Sequence, residues 1–559
     1  MPFLPRRLSS RFRDVPWGAA VGVAGFSFLL FIAVIVWMDN VHFGTMNGLW
    51  KSTLVEDWAR TPATASLDPS NYLYFPMVSA LCRGLDVLGL HVGKVWQQLA
   101  YINAAFGAVN IGILFCFVYW LTRRRDAALA AALLALSCGF FLTLATSNED
   151  IMPTFTFVFA AMVLAGVWFS QPTVGQVVVV GIVFSLGWLG EWRLIFPTFP
   201  ALVLALGLSE GAWKRRALLI FVLMAAMFAI AQFVALMWLG HLGSVGALDL
   251  LWTGKGIGTG YAGFSWDKLQ LMAVGIGEYL LGGGQLSDTP DWSAKGWPLA
   301  FFLEIVFFAC VVCLAWRRRN DSIARTVAIV FLGTLVAGQV MNAYSQPQDP
   351  QMQINVMTWL PIYWGVVAAS LMALPVLRGL VLLLSILPLA YNISSFSAGR
   401  GLDGAAQASL VELEHRFDLS RTVFVYTGWE NIVAWEFVVW ARRWEGVCDL
   451  PPAPTANPKF KWTSIIGPAV HHPEWTPEQH AASIKADLDC AFDKGYRVIA
   501  AGIWRASPES LSGLFTTLNS TGRGRALYAL FNSPDYKVVD VGSTPIGDRY
   551  YEVTRTFPR

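Results

Sequence analysis

The chain has 559 residues, of which 55% are hydrophobic and only 14% charged, with 25 Trp and 37 Phe. One core could not hide that much apolar surface from water, so a soluble globular protein is excluded and a polytopic membrane protein is indicated. The net charge of +3 says little, because in membrane proteins the placement of Lys and Arg outweighs their sum.

A membrane-crossing helix needs about 20 apolar residues. Such runs predict eleven spans, at 17–38, 98–121, 127–146, 151–170, 177–190, 194–209, 217–239, 298–316, 326–342, 354–373 and 379–396. The fifth and sixth are short and suit tilted or partly re-entrant segments. The first reads as a retained span: it is long for a signal core, and Trp37-Met38-Asp39 lacks the small residues of a cleavage site. Arg6, Arg7, Arg11 and Arg13 precede it. Arg123-Arg124-Arg125, Lys214-Arg215-Arg216, Arg317-Arg318-Arg319 with Arg325, and Arg378 punctuate later spans. With the N-terminus inside, all of these fall on the cytoplasmic face, as the positive-inside tendency requires.

Three segments then lie outside. Residues 39–96 carry Trp50, Trp58, Tyr72, Tyr74 and Phe75, with apolar residues at the helical spacing of interfacial helices. Residues 240–297 are Gly-rich around Lys255 and hold an apolar stretch, 269–281, too short to span. From Ser397 the chain turns charged and Pro-bearing. Strands are predicted at 421–427, 496–504, 536–541 and 549–554, and helices at 428–440, 476–494 (Thr476 as N-cap) and 508–518. The expected organisation is a transmembrane domain, 1–396, followed by an extracytoplasmic α/β domain, 397–559. Cys448 and Cys490 share that domain, where oxidation is permitted, but spacing leaves their pairing open. Cys310 and Cys313 form a CxxC inside a span, where filler is the simpler reading.

The acidic residues are the most informative. Asp39 follows the first span with no spacer, and Ser147-Asn148-Glu149-Asp150 follows the third; both corners fall on the outer face. Carboxylates beside hydrocarbon usually mark an ion path, a pairing or chemistry. Asn148, Glu149 and Asp150 also suit the cap and first turn of the next span. At the corner Glu191-Trp192-Arg193, Arg193 either pairs with Glu191 or binds an anionic headgroup. Gln348 and Asp349, in a Pro-bounded corner, form either a plain loop or hydrogen bonds to a sugar. The Lys255 stretch lacks P-loop spacing but suits a lid. His471-His472 reads as a surface pair. No HExxH or GxSxG occurs, and the scattered basic residues give no support for nucleic-acid binding.

This layout resembles the GT-C class of integral-membrane glycosyltransferases, which includes the protein O-mannosyltransferases and the lipid A aminoarabinose transferases. The shared features are an acid ending the first span (Asp39), a long first outside loop, a second acidic corner (Glu149-Asp150), many spans and a C-terminal extracytoplasmic domain. The chain departs from that class in having Asp39-Asn40 in place of an Asp-Glu pair, and Gln348-Asp349-Pro350 in place of an Arg-Tyr-and-Pro corner. It also has no WWD-type motif. The resemblance implies sugar transfer from a polyprenyl-phosphate-linked donor to a glycan, lipid or protein acceptor at the outer face of a bacterial plasma membrane. It implies Asp39 as general base, with Glu149 and Asp150 positioning the acceptor or a divalent cation (Mg or Mn). Arg193 or Lys255 would then hold the donor phosphate, and Asn40, Tyr74, Gln348 and Asp349 the substrate. The competing expectation is a polytopic transporter of a polar or lipid-linked solute, which should show mid-span polar residues, broken helices and repeated halves.

Overall fold

A computed structural model of the protein describes residues 14–39, 51–52, 54–56, 58, 72–89, 94–191, 197–211, 213–239, 242–253, 263–281, 302, 305, 309, 320–344, 352–397, 400–427, 447–455, 461–472, 474–515, 520–545 and 549–556. The chain divides into two compact units. One comprises Met1–Phe43, Leu54–Leu251 and Lys268–Arg400; the other comprises Gly44–Thr53, Trp252–Asp267 and Gly401–Arg559.

The first unit is a helical bundle. Its elements include α1 (Trp17–Met38), α2 (Tyr74–Val87), α3 (Val95–Thr122), α4 (Arg125–Ser137), α5 (Gly139–Thr146), α6 (Ile151–Trp168), α7 (Val174–Gly190), α8 (Thr198–Gly207) and α9 (Lys214–Leu239). They continue with α10 (Trp266–Leu280), α11 (Ser322–Tyr344), α12 (Val356–Leu371) and α13 (Pro375–Ser397). Every expected span overlaps helical residues; of 298–316 only Phe302, Ile305 and Ala309 are described, and all three are helical. Among the described residues six helices are long and apolar enough to cross a bilayer, or seven if a bent pair is counted. At ten residues, α8 is about 15 Å long, half a hydrocarbon core.

The bent pair corrects one expectation. Residues 127–146 were expected to form a single span, but α4 and α5 meet at 72°. Cys138 is extended there (φ −65°, ψ 120°), which frees carbonyls of the last turn of α4. Asn392 of α13 donates from Nδ2 to Ser137 O (2.5 Å) and to Leu280 O (3.0 Å), tying the break to α13 and to the end of α10.

Arginines gather where α3, α4, α12 and α13 meet. Arg124 donates to both oxygens of Asp126 (3.0 and 2.6 Å), to Ala369 O (3.1 Å) and to Met372 O (2.8 Å). Arg378 lies 3.8 Å from Asp126, and Arg123 lies 3.9 Å from Asp14. Such clustering is what helix ends on one membrane face would produce. Burial separates lipid-facing from central helices: 17% of the apolar window is buried in α13 and 22% in α9, against 72% in α6. The innermost of these is therefore the helix that begins directly after Asp150.

The second unit contains α14 (Leu402–Arg416) and a five-stranded sheet of order β2-β1-β3-β5-β4, built from β1 (Thr422–Tyr426), β2 (Lys461–Ser464), β3 (Arg497–Ala501), β4 (Tyr536–Ser543) and β5 (Arg549–Arg555). β2, β1 and β3 are parallel, and β5 and β4 add on antiparallel. All five residues of β1 are buried, as a central strand with both faces covered demands. The expected strands at 421–427, 496–504, 536–541 and 549–554 are present; the edge strand β2 was not anticipated. The expected helix at 428–440 lies outside the described residues. α15 (Pro477–Asp493) starts where Thr476 accepts from Gln479 N in a capping box. Cys448 and Cys490 are disulfide-bonded, 42 residues apart; closing such a loop contributes about 4 kcal/mol in the chain-entropy description. His472, expected as plain surface, is exposed but not bare: it stacks on Trp475 and pairs with Glu474 (3.1 Å).

His480, fully buried on α15, provides a pH test. Its Nε2 lies 2.9 Å from Ile465 O, and Phe515 meets its ring edge-on. Burial pushes its pKa down to about 4; the Arg523 charge adds to this and the Ile465 hydrogen bond opposes it. Between that value and the unfolded value of about 6.5, the unfolded state binds more protons. The contribution is therefore complete above pH 6.5 and is lost as pH falls through 4. Lowering the pH from 7 to 4.5 should cost this unit on the order of 2 kcal/mol through His480, and His480→Gln should remove that part of the slope. Hydrogen exchange of β1 and β3 amides in the full-length protein measures it; equal slopes in both proteins would rule it out.

Candidate functional site

The acidic corner between α5 and α6 is wholly interior. Ser147, Asn148, Glu149 and Asp150 are all at most 2% exposed. The corner is held from α3, where Asn103 uses its side-chain amide to donate to Ser147 O (2.8 Å) and to Glu149 O. Two turns further along α3, Asn110 Nδ2 contacts Met152 Sδ at 3.8 Å in the first turn of α6. Asn103 and Asn110 are seven residues apart, which puts both on one helix face.

A second element meets this corner. Leu73 N donates to Leu189 O (2.6 Å), docking the start of α2 on the end of α7. Tyr74 is thereby fully buried, and its hydroxyl pKa is raised well above the ordinary value, first by burial and then by the carboxylates of Asp150 and Glu149. α2 buries Tyr74, Phe75, Val78, Ser79 and Cys82, one stripe of a helix, as expected for the first outside loop. Glu191, which ends α7, is also buried. Gly190 lets α7 close on α6: a Cβ there would lie 2.5 Å from Thr154 Oγ1.

Among the described residues, several buried polar atoms here have no hydrogen-bond partner: Ser147 Oγ, both amide atoms of Asn148, Thr154 Oγ1 and the Tyr74 hydroxyl. Buried polar atoms are nearly always satisfied, so a concentration of unmet ones marks a place built for something else to bind.

Asp39 lies at the end of α1, on the bundle surface. It is exposed and caps α1 in the left-handed conformation (φ 47°), donating from N to Ile35 O (3.2 Å). α1 packs antiparallel on α3. A Cβ on Gly112 would meet Ala24 Cβ at 3.3 Å, and one on Gly107 would meet Phe31 Cε2 at 3.2 Å and Ala145 Cβ at 2.8 Å. Phe31 also meets Phe141 edge-on (6.4 Å), so α1, α3 and α5 share one contact.

Asn40, Arg193, Lys255, Gln348 and Asp349 lie outside the described residues. Two cations that went unnoticed in the sequence are described. Arg400, just past α13, places its guanidinium 6.0 Å from the Trp37 ring centre, two residues before Asp39. Lys268, at the start of α10, is buried and donates to Tyr344 O (3.1 Å), and burial pushes its pKa down to about 8. The only hint of either was its position beside an apolar run. For a metal, Glu149 and Asp150 offer hard oxygen ligands suited to Mg or Mn, but among the described residues no third His, Cys, Asp or Glu joins them.

No protein-family model matches the chain, and neither does any curated protein. The solved structures that resemble it include two that align along nearly its whole length. One is ArnT from Cupriavidus metallidurans bound to undecaprenyl phosphate: 13% identity, TM-score 0.45, covering 94% of this chain and 97% of that one. The other is the same protein in the apo state, at 15% identity and TM-score 0.41 with the same coverage.

Proposed function

We propose that the protein is a membrane glycosyltransferase moving a sugar from a polyprenyl-phosphate-linked donor to a hydroxyl acceptor outside the cytoplasm. The observation that carries this reading is the interior acidic corner, Glu149-Asp150, with Tyr74 folded onto it from the preceding loop. Asn103 and Arg123 stand 20 residues apart on α3, about 30 Å, the thickness of a bilayer core. The corner and the arginine cluster therefore belong to opposite membrane faces, and the positive-inside tendency makes the corner's face the outer one. A disulfide in the second unit suits an oxidising compartment.

Asp39 is the general base in this scheme. The α1–α3 contacts pair Ala24 with Gly112 and Phe31 with Gly107; continued, that register carries the end of α1 level with Asn103 and its corner. The acceptor oxygen attacks the anomeric carbon while its proton passes to the Asp39 carboxylate. The bond to the lipid phosphate breaks, and the phosphate leaves with the electron pair. Positive charge from Arg193 or Lys255, with Arg400 beside Trp37, stabilises that leaving group. Glu149 and Asp150 position the acceptor or hold a divalent cation, whose chemistry would be charge neutralisation at the phosphate.

The break between α4 and α5 is a feature that transporters share, so transport is the second reading. Incubating the purified protein with radiolabelled polyprenyl-phosphate sugars distinguishes the two. The expected result is label leaving the lipid for a water-soluble or glycan product. Label that stays on the lipid across a panel of sugars, while reconstituted vesicles accumulate solute, would establish the transporter.

A further inference from the structure

Two observations meet at residue 148. Asn103 holds the carbonyls of Ser147 and Glu149, so the backbone is clamped on both sides of Asn148. The Asn148 side chain is itself fully buried, yet neither Oδ1 nor Nδ2 finds a hydrogen-bond partner among the described residues. An amide left unsatisfied in the interior destabilises a fold, and a clamped backbone denies it the freedom to turn toward a partner. The neighbouring Ser147, Thr154 and Tyr74 hydroxyls are unsatisfied too, so the need is regional rather than an accident of one rotamer.

We infer that Asn148 is a substrate-binding group that takes a pair of adjacent hydroxyls on a sugar ring, Oδ1 accepting from one and Nδ2 donating to the other. The inference rests on the glycosyl-transfer reading above. The chemistry of the amide selects the ligand. A phosphate offers acceptors only and would leave Oδ1 unsatisfied, and an ammonium offers donors only and would leave Nδ2 unsatisfied. A hydroxyl pair satisfies both ends. Because the clamp fixes the amide before substrate arrives, little ordering is left to oppose binding. The hydroxyls belong either to the donor sugar or to the acceptor glycan.

Asn148→Leu tests this, because it replaces the amide with an apolar side chain of similar size. Rates are measured with polyprenyl-phosphate sugar and hydroxylated acceptor varied separately, and melting of the substrate-free protein is followed in detergent. The expected result is a fall of about 10- to 100-fold in kcat/KM for one of the two substrates, which identifies the source of the hydroxyls. A donor or acceptor deoxygenated at the bound position should lose a similar factor with the wild-type protein and almost nothing further with the variant. The melting midpoint should not fall, since an unsatisfied amide has been exchanged for a group that needs no partner. Unchanged kcat/KM for both substrates overturns the inference. So does a lowered midpoint with KM intact, the mark of a purely structural residue. A wild-type protein that transfers no sugar under any condition overturns the glycosyl-transfer reading itself and takes this inference with it.

Discussion

Asp39→Asn should lower turnover on the order of 100-fold or more, with the donor KM nearly unchanged. The local backbone makes this substitution unusually clean. Asp39 closes α1 at φ 47°, a region that most side chains resist and asparagine tolerates well. The variant therefore keeps the helix end and most of the hydrogen-bonding capacity while losing the ability to take a proton. Alanine at the same position would mix backbone strain into the result. Initial rates at saturating donor, normalised to folded protein, decide the matter. Wild-type turnover in the asparagine variant would remove Asp39 from the chemistry.

The second large effect should come from Gly107, which lies one turn along α3 from Asn103. The Cβ of an alanine there would already fall 2.8 Å from Ala145 Cβ and 3.2 Å from the Phe31 ring. Leucine has nowhere to go unless α1 or α5 moves away, and interior overpacking of this kind costs about 1–3 kcal/mol or more. α5 runs straight into Ser147, so moving it drags the acidic corner off Asn103. Gly107→Leu should thus lower the melting midpoint, speed amide exchange at 147–150 and abolish transfer. Gly25→Leu is the control: among the described residues, the local backbone of α1 apart, no atom lies within 4 Å of a Cβ at that position, and both stability and activity should survive. A Gly107 variant that melts and turns over like wild type would show that this three-helix contact does not position the corner.

Placement of charge made much of the bundle readable in advance. Arginines between apolar runs marked the helix ends, and Arg124, Asp126 and Arg378 do gather. Tyr74 was legible as part of an amphipathic stripe, but nothing local showed that it would reach Glu149 and Asp150. Other features escaped for a shared reason: their causes are distant. No proline announces the bend at Cys138; the amide that caps it belongs to Asn392, 255 residues beyond Ser137. Asn103 looks like a stray amide in an apolar helix until its partners, 44 and 46 residues away, are known. β2 is four residues long with three of them polar, and only its neighbour β1 makes it a strand.

The tie between Asn392 and the α4–α5 bend also sets a schedule for biogenesis. At ribosomal rates of about 5–20 residues per second, roughly 13–50 seconds separate synthesis of Ser137 from synthesis of its cap. Arg124 waits almost as long for Ala369 and Met372. During that interval the freed carbonyl of Ser137 lacks its donor, and the bend at Cys138 is secured to α13 only when the final described span is made. A chain cut short before α13 should therefore reach the membrane with the carbonyls of Ser137 and Leu280 missing their shared donor, and with nothing from α13 to secure the bend.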